Sequence, residues 1–498
     1  MLFGFALNAN TQPINFALGY EPSILLNEKL NKINNSLSTG FKPVIGYKVS
    51  DFFTNDSLNK FYGDSALFFS KHKKNWFYRK FFFESFVKYS GENFLIEVNP
   101  LLNYEIGRIK GIDNKYGINT RGIEIKGNIG EKLSFYSSFA ETQAFFRYYI
   151  DSAANERLVV PGQGAWKEFK ETGRDFSMAS GYVSFSPNKI INLQAGHDKH
   201  FIGEGYRSLL LSDNSFNYPF ARLSFDFKGF NYTVLYTQFE DFRKVYYAYH
   251  TKKYGQFNYL SYSYKNIAEL GVFEGMIYKT SDSITSRKIP ADYFVPVIGL
   301  HLGKYGYLQE NKLLTGINLK IKITEFAQFY AQLASDDFKT DRNAYQFGVK
   351  IFDAFINTFP QHRLYFQAEY NNAKSDIYKG TEKNTSWSHY NSEIVHPAGT
   401  RFDETILIGR YLFKNFSLTG KYVKINSLSA ASDIFINTEN IGNQKEIIHN
   451  TLTFAYLINP NYFLQVFAGA DIRKANSIEE KYIFFGIRTN ISNFYYDF

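Results

Sequence analysis

Short segments in which apolar and polar residues alternate fill most of this chain of 498 residues. In Ile317–Ile323 every second residue is Ile or Leu, and Asn or Lys stands between them. Leu364–Tyr370 alternates in the same way. Because a period of two puts the two kinds of residue on opposite faces, these segments predict half-buried β-strands. With tyrosines at the segment ends, where an interfacial aromatic girdle would lie, the pattern predicts an all-β fold, a transmembrane antiparallel β-barrel.

The alternating segments number about eighteen, an even number that suits a single-chain, porin-sized outer-membrane barrel better than a sandwich. The predicted strands are 94–107, 116–129, 132–144, 175–186, 189–201, 219–228, 230–240, 256–265, 267–278, 312–323, 326–336, 345–354, 362–373, 404–413, 415–426, 445–458, 461–473 and 481–490 with its continuation.

The connections between these segments alternate in length. Short ones, such as Gly130–Glu131 and Lys228–Gly229, carry the Gly, Asn and Pro of tight turns. Long ones lie at about 145–174, 202–218, 241–255, 279–311, 374–403 and 427–444. Short turns on one side and long loops on the other are typical of the periplasmic and extracellular ends of an outer-membrane barrel.

Composition supports a location in the bacterial outer membrane and excludes several other classes. The chain has 39 Tyr and 52 Phe but a mean hydropathy of −0.31, and no later apolar run is long enough for a transmembrane helix. The absence of Cys excludes disulfides and thiolate metal sites. The net charge of +9 is spread along strands rather than in blocks, which argues against nucleic-acid binding. We expect outer-membrane lipids and an acidic surface polysaccharide as partners.

The two ends of the chain differ from the middle. Residues 1–12 resemble the remnant of a signal peptide. Residues 13–90 are predicted to form a periplasmic helical element and the approach to the barrel, because Ser23–Leu37 and Trp76–Tyr89 have helical spacing; the alternative is that part of this region is a first strand or two. The barrel then spans residues 91–498. Phe498 is predicted to close the last alternating strand. Such a terminal aromatic resembles the signal by which the outer-membrane assembly machinery recognises barrels, which makes that machinery an expected partner.

The segment GHDKHFIGEGYRSLLLSD, residues 196–213, is the densest run of charge, Gly and His in the chain. It ends a predicted strand and enters a long loop, so it lies at the extracellular mouth or folds into the lumen. His197 and His200 would point to opposite faces of a strand, which opposes a shared metal ion. The segment has neither a nucleophile elbow nor the βαβ context of a dinucleotide site. We therefore expect no enzyme activity and no cofactor.

Two roles remain for this segment. Arg207 and Asp213 can pair through charge-assisted hydrogen bonds and fix the loop. Alternatively, Lys199, Arg207 and Tyr206 can bind an acidic sugar through charge and stacking. The candidate residues for loop fixing or glycan binding are Lys199, His200, Tyr206, Arg207 and Asp213.

Residues 196–220 also resemble a known family. The match comprises Gly196, Lys199, Phe201, Gly203, Gly205, the run Tyr206–Asp213, and Pro219 with Phe220. This pattern resembles the motif region of the Wzi-type capsule-assembly proteins, and more closely their Bacteroidota relatives, the gliding-motility RemB-like outer-membrane proteins. Val160–Gly164 and the basic pair Arg79–Lys80 add to the likeness. The resemblance implies an eighteen-stranded barrel with a small periplasmic helical bundle, and a role in holding surface polysaccharide or in adhesion and gliding.

The sequence thus predicts a non-catalytic, glycan-binding barrel for capsule attachment or assembly, or for surface adhesion linked to gliding motility. A porin-like channel for small solutes is the alternative, because long loops and a charged lumen permit both. A 22-stranded transporter with a plug domain is excluded by chain length.

Overall fold

The computed structural model describes residues 15, 18, 30–31, 37–46, 75–241, 251–265, 267–279, 281–282, 285–286, 289–307, 310–338, 341–353, 358, 361–380, 385–428, 444–491 and 494–498. Within these ranges, eighteen antiparallel strands form a closed barrel, which confirms the predicted fold class. The strands are β1 Phe94–Ile109, β2 Tyr116–Ile129, β3 Leu133–Phe145, β4 Gly173–Phe185, β5 Ile191–Asp198, β6 Tyr218–Phe227, β7 Phe230–Asp241, β8 Thr251–Tyr264, β9 Ala268–Tyr278, β10 Lys312–Thr324, β11 Ala327–Asp337, β12 Arg342–Phe352, β13 His362–Ala373, β14 Phe402–Phe413, β15 Phe416–Leu428, β16 Gln444–Asn459, β17 Leu464–Ala475 and β18 Ile478–Arg488.

Three α-helices and several short strands accompany the eighteen long strands in the described ranges. The helices are α1 Trp76–Phe82, α2 Tyr148–Arg157 and α3 Leu300–Tyr305, with a 3₁₀ turn at Ala291–Phe294. The short strands are Phe41–Lys42, Val87–Ser90, Lys167–Phe169, Phe201–Ile202, Ser281–Asp282, Thr285–Ser286, Ser388–His389 and Ser392–Glu393. None of these helices has the length and apolar character needed to cross a bilayer.

The two faces of the wall differ as the alternation predicts. Large apolar side chains point outward and are exposed, among them Ile483 at 70% and Phe485 at 59%. Polar side chains such as Gln194, Asn318 and Gln346 point inward, and they are buried because the lumen is filled by the chain itself. An apolar belt around a closed barrel is the arrangement that a bilayer requires, and it places the protein in the bacterial outer membrane.

The two ends of the barrel also differ. On one end, Lys228 and Gly229 both have positive φ, as a two-residue hairpin turn of type I′ demands. The opposite end carries the longer connections, including 146–172, 199–217, 279–311 and 374–401. Helix α1 lies at the short-turn end, where the Asn459 side chain donates to the carbonyl oxygens of Lys80 and Glu84.

The N-terminal region departs in part from the sequence prediction. The helix predicted over Trp76–Tyr89 ends at Phe82, and Val87–Ser90 is a strand that pairs with residues 95–98 of β1. Residues 37–46 lie inside the lumen rather than outside it, where Phe41–Lys42 pairs with Phe201–Ile202. The predicted signal-peptide remnant lies outside the described residues, as does almost all of the predicted helix at 23–37. The boundary at residue 90 stays a prediction.

The prediction that Phe498 closes the last strand is wrong. Strand β18 ends at Arg488, and residues 494–498 enter the lumen without regular structure. The Arg473 guanidinium donates to the Phe498 backbone oxygen there, at 3.1 Å. The terminal aromatics therefore pack inside the barrel and not in its wall.

Candidate functional site

The segment predicted as the functional centre leaves β5 and folds into the lumen, which settles its position between the two predicted alternatives. The Ile202 amide donates to the Leu211 oxygen at 2.8 Å, so the loop doubles back on itself. The Gly203 amide donates to Gly40 of the N-terminal segment at 2.7 Å. Gly203 has φ of 124°, a conformation that favours glycine. Leu209, Leu210 and Leu211 are fully buried, so the loop forms a plug around its own apolar core.

Arg207 is the central cation of this plug, and its side chain is 0% exposed. Its Nη2 donates to Glu404 at 3.1 Å and to Asp497 at 2.8 Å. The guanidinium also lies 4.9 Å from the ring centres of Tyr206 and Tyr495. Two carboxylates and two aromatic rings together compensate the desolvation of one buried charge.

The backbone around Arg207 is held by another strand residue. The amides of Tyr206 and Arg207 donate to the two carboxylate oxygens of Glu369 on β13, at 2.7 and 3.1 Å. On the neighbouring strand β12, the Gln346 side chain donates to the Arg207 carbonyl at 3.0 Å. The barrel wall therefore fixes the main chain of the plug as well as its side chains.

The predicted pairing of Arg207 with Asp213 is wrong. Asp213 instead accepts a hydrogen bond from the Tyr495 hydroxyl at 2.8 Å. Its backbone oxygen accepts from Lys199 at 3.2 Å, and Lys199 also donates to Gly162 at 2.8 Å. Arg207 and Asp213 both face the C-terminal tail, but they have different partners there: Arg207 bonds Asp497 and also Glu404 of β14, whereas Asp213 bonds Tyr495.

A carboxylate and three lysines form a second charged cluster deeper in the lumen. Thr39 donates to Glu204 at 2.5 Å, Lys42 lies 3.4 Å from its carboxylate, and Lys350 lies 4.0 Å away. Burial raises the pKa of Glu204, but Lys42, Lys320 and Lys350 outweigh it and lower the pKa to about 2. Glu204 is thus ionised at neutral pH and ties the N-terminal segment to the plug.

The loop between β13 and β14 also contacts the plug. The Tyr378 hydroxyl donates to the Leu209 oxygen at 2.9 Å. His396 accepts from the Ala398 amide at Nδ1, so its Nε2 carries the proton and donates to Glu404 at 2.6 Å. Burial lowers the pKa of His396 despite the attraction of Glu404. A neutral His396 therefore leaves the Glu404 charge to Arg207.

The C-terminal tail completes the site. Asp497 accepts from Arg207, from the Tyr206 hydroxyl at 2.8 Å and from Lys421 of β15. Burial raises the pKa of Asp497, but Arg207 and Lys421 hold it well below its usual range. Val160–Gly164 meets the same tail, since Gln163 donates to the Tyr496 hydroxyl at 3.1 Å.

A cavity of about 370 Å³ lies beside the plug, in the half of the lumen bounded by β1, β2 and β15–β18. Such a volume falls in the range of small-ligand sites. Its lining includes Tyr206, Lys421, Asp497, His449, Tyr482 and Phe463. Charged groups here are matched, as in the pairs Arg147–Asp471 at 3.1 Å and Lys421–Asp497.

Four of the five predicted site residues are buried and the fifth is half-buried. Lys199, His200, Arg207 and Asp213 each have at most 4% exposure, which leaves them no surface for a sugar. Tyr206 lines the cavity and is the member of this set that a ligand can reach. His197 and His200 have separate surroundings, the first beside the Ala179 carbonyl and the second between the rings of Tyr218 and Phe220. In the described part of the chain, no group of acidic and His side chains is arranged to hold a metal ion.

Four partners of the plug were not predicted from the sequence, namely Glu369, Glu404, Lys421 and Asp497. One signal for the first three was available, because alternation assigns them to inward positions of β13, β14 and β15. Charged residues on an inward face need partners in the lumen. Nothing in the alternation indicates which loop supplies them.

The fold is similar to that of outer-membrane β-barrels of known structure. No family model matches the chain, and no curated protein is similar to it in sequence. Among solved structures, the chain is similar to Wzi of Escherichia coli, described as an outer-membrane, carbohydrate-binding β-barrel involved in group 1 capsule assembly. The TM-score is 0.60 at 11% identity, over 96% of this chain and 99% of Wzi. A second similar structure is OpdK of Pseudomonas aeruginosa with vanillate, with a TM-score of 0.45 at 9% identity over 79% of this chain and 98% of OpdK. These likenesses concern the fold.

Proposed function

We propose that this outer-membrane barrel holds surface polysaccharide at the cell surface by non-catalytic binding, in capsule attachment or assembly. The filled lumen is the observation that carries the proposal. Buried ion pairs join the plug at 199–217 to the tail at 494–498 and join both to the wall. The loop at 374–401 is bound to the plug and to the wall by buried hydrogen bonds. A barrel built in this way serves as a rigid platform for its extracellular loops.

The filled lumen argues against the porin-like alternative. Solute channels keep a water-filled passage through the barrel. Here Arg207, Glu204 and Lys253 occupy the lumen with side chains that are 0% exposed and bonded to several elements. Opening a passage would strip partners from buried charges, at a cost of about 3–5 kcal/mol for each broken pair.

Support for a glycan ligand comes from likeness and charge. Wzi, which shares the fold over almost the whole chain, is described as carbohydrate-binding. The net charge of +9 favours an acidic polysaccharide over a neutral one. A role in adhesion and gliding motility, as in RemB-like proteins, rests on the motif at 196–220 alone and is the second form of the proposal.

Retention of polysaccharide by cells tests the proposal. Cells that lack the gene are compared with cells that carry the wild-type gene, and surface-bound and released polysaccharide are measured separately. We expect the deletion to move polysaccharide into the medium without reducing its total. Equal retention in both strains would refute capsule attachment, and a gliding or adhesion defect in the same strain would then favour the second form.

Conductance provides the test against the porin alternative. The purified protein is inserted into a planar bilayer, with a general porin as the positive control. We expect no stable open channel, because the lumen is occupied. Large steady currents would contradict the proposal.

A further inference from the structure

Residues 289–307, here called the flap, lie between β9 and β10 and pack on the outside of the barrel wall. The flap includes the 3₁₀ turn Ala291–Phe294 and helix α3. Its position follows from the alternation in β8, where Tyr262 and Tyr264 face outward and are 42% and 48% exposed. Gln256 and Asn258 lie on the same outward face of β8 as these tyrosines, yet both are 0% exposed. The flap covers them, since the Gln256 side chain donates to the Val295 oxygen at 2.8 Å.

A carboxylate on the outer wall anchors the flap. Glu274 of β9 has the same parity as the exposed Leu270 and Val272, so it points away from the lumen. It accepts from the amides of Gly299 and Leu302 at 2.7 and 2.9 Å, at the start of helix α3. His301 Nδ1 lies 3.5 Å from the same carboxylate.

Tyrosines of the outer wall hold the rest of the flap. The hydroxyls of Tyr232 and Tyr236 donate to the carbonyl oxygens of Pro296 and Phe294, at 2.9 and 3.1 Å. The Tyr293 ring packs against Tyr236, with ring centres 5.3 Å apart. Further along the wall, the Tyr278 hydroxyl lies 2.6 Å from His301 Nε2. The flap is therefore fixed to the outer face of the wall by specific hydrogen bonds and ring contacts.

Without the flap, this sector of the barrel would present a carboxylate and two amides to its surroundings. Polar and charged groups on the lipid face of a barrel are destabilising by an amount that depends on depth. Below the flap, the exposed apolar residues run only from Ile267, in the turn before β9, to Val272 of that strand. Five residue steps of about 3.4 Å at a tilt of about 40° give a height of roughly 13 Å, about half of the apolar band of about 25 Å.

The outer surface of the flap supplies apolar area above that point. Phe294 is 62% exposed, Val297 50%, Val295 38% and Leu302 37%. These side chains continue the lipid-facing belt upward, towards the long-loop end of the barrel. We propose that the flap is embedded in the outer leaflet and contacts lipid acyl chains through Phe294, Val295, Val297 and Leu302.

The occupant is a lipid surface because the flap is continuous with a surface that already faces lipid. Its polar side chains Asp292 and His301 are buried against the wall, and its exposed large side chains are apolar except for Lys304, which is 53% exposed and pairs with Asp292 at 3.3 Å. A water-exposed loop would place polar and apolar side chains the other way round. Such an embedded loop makes the apolar band complete in a sector where the strands alone do not.

The absence of Cys from the chain allows a direct test. A single cysteine is introduced as Val297→Cys or, separately, Phe294→Cys, and a nitroxide label is attached to the full-length protein in vesicles of phosphatidylethanolamine and phosphatidylglycerol. Collisions with oxygen, which concentrates in lipid, are compared with collisions with a water-soluble nickel complex. Val272→Cys is the lipid-facing control and Glu171→Cys the water-facing control, since both positions are exposed.

We expect both flap labels to resemble Val272→Cys, with several-fold more oxygen access relative to nickel than Glu171→Cys. A water-like ratio at both flap positions would overturn the proposal. Low access to both reagents would also overturn it, since it would indicate a protein partner on this face. Only variants that migrate as folded, heat-modifiable barrels are scored, and two independent flap positions guard against the loss of one.

Discussion

Arg207 and Asp497 lie 290 residues apart in the chain, and the Arg207 Nη2 donates to the Asp497 carboxylate at 2.8 Å inside the lumen. This contact joins the plug to the C-terminal tail. Lys421 of β15 shares the same carboxylate, so the pair is also tied to the wall. A motif that is prominent in the sequence thus acts by holding together the ends of the fold.

Replacing Arg207 is expected to destabilise the barrel severely. Arg207→Ala leaves Glu404 and Asp497 buried without their cation, at an expected cost of about 3–5 kcal/mol in the free energy of unfolding. The temperature at which the folded band disappears on a semi-native gel should fall clearly. Arg79→Ala, at an exposed position of helix α1 where the arginine lies 3.6 Å from Glu84, is the matched control and should change this temperature little. An equal fall in this temperature for the two substitutions would contradict the conclusion that the buried Arg207 ion pairs stabilise the barrel.

Loss of the C-terminal tail is expected to loosen the plug without dissolving the wall. Removing residues 494–498 deletes Asp497 and the Tyr495 contact to Asp213, while all eighteen strands remain. We expect the shortened protein to insert as a barrel and to show measurable bilayer conductance where the full chain shows none. Asp497→Asn, which keeps the shape and removes the charge, should give an intermediate result. A silent bilayer with the folded, shortened protein would show that the tail is not needed for closure.

Acid is expected to release the N-terminal segment from the plug. The folded-state pKa of Glu204 is about 2, below its ordinary value of 4.5. The ion pairs of Glu204 therefore add stability that is fully present above pH 4.5 and is lost as the pH falls towards 2. Resistance to unfolding, followed by tryptophan fluorescence in detergent, should decline across this window. Glu204→Gln should be less stable at neutral pH and lose less on acidification; an identical pH profile for both proteins would argue against this cluster.

The Glu274 anchor of the flap makes a separate prediction. Glu274→Ala removes the acceptor of the Gly299 and Leu302 amides and should free the flap from the wall. We expect faster cleavage by an added protease within 289–307, detected by mass spectrometry of the fragments. Glu274→Gln keeps one acceptor oxygen and should lie between Glu274→Ala and wild type. Glu269→Ala, on the lumen side of the same strand, is the control and should leave flap cleavage unchanged.

The alternation was sufficient to predict the strands of the wall, because the residue type at each position depends on whether the side chain faces lipid or the lumen. Phe230–Thr237 and Leu364–Tyr370 lie in strands in the structure, as predicted. The strand boundaries agree to within a few residues even where loops are long. A local sequence pattern is therefore sufficient to predict the strands, whose residue types depend on their immediate surroundings.

The same pattern could not predict what fills the lumen. Arg207 pairs with Glu404 and Asp497, and nothing in a period of two indicates which of many inward charges meet. The flap was predicted only as a long loop at 279–311. One signal was available in retrospect, since Glu274 stands at an outward position between Val272 and Met276, and a carboxylate there requires cover.

The pairing of β1 has a consequence for how the barrel closes. Strand β18 pairs only with residues 103–109 of β1, and the stretch 95–98 on the same edge pairs with Val87–Ser90 instead. The last strand therefore cannot seal the cylinder alone; the residues just ahead of β1 must fold back to complete the seam. A shortened chain that begins at Phe94 would keep every long strand and still carry an open strand edge near the periplasmic end. The boundary between leading segment and barrel, drawn from sequence at residue 90, thus runs through the middle of a single hydrogen-bonded joint.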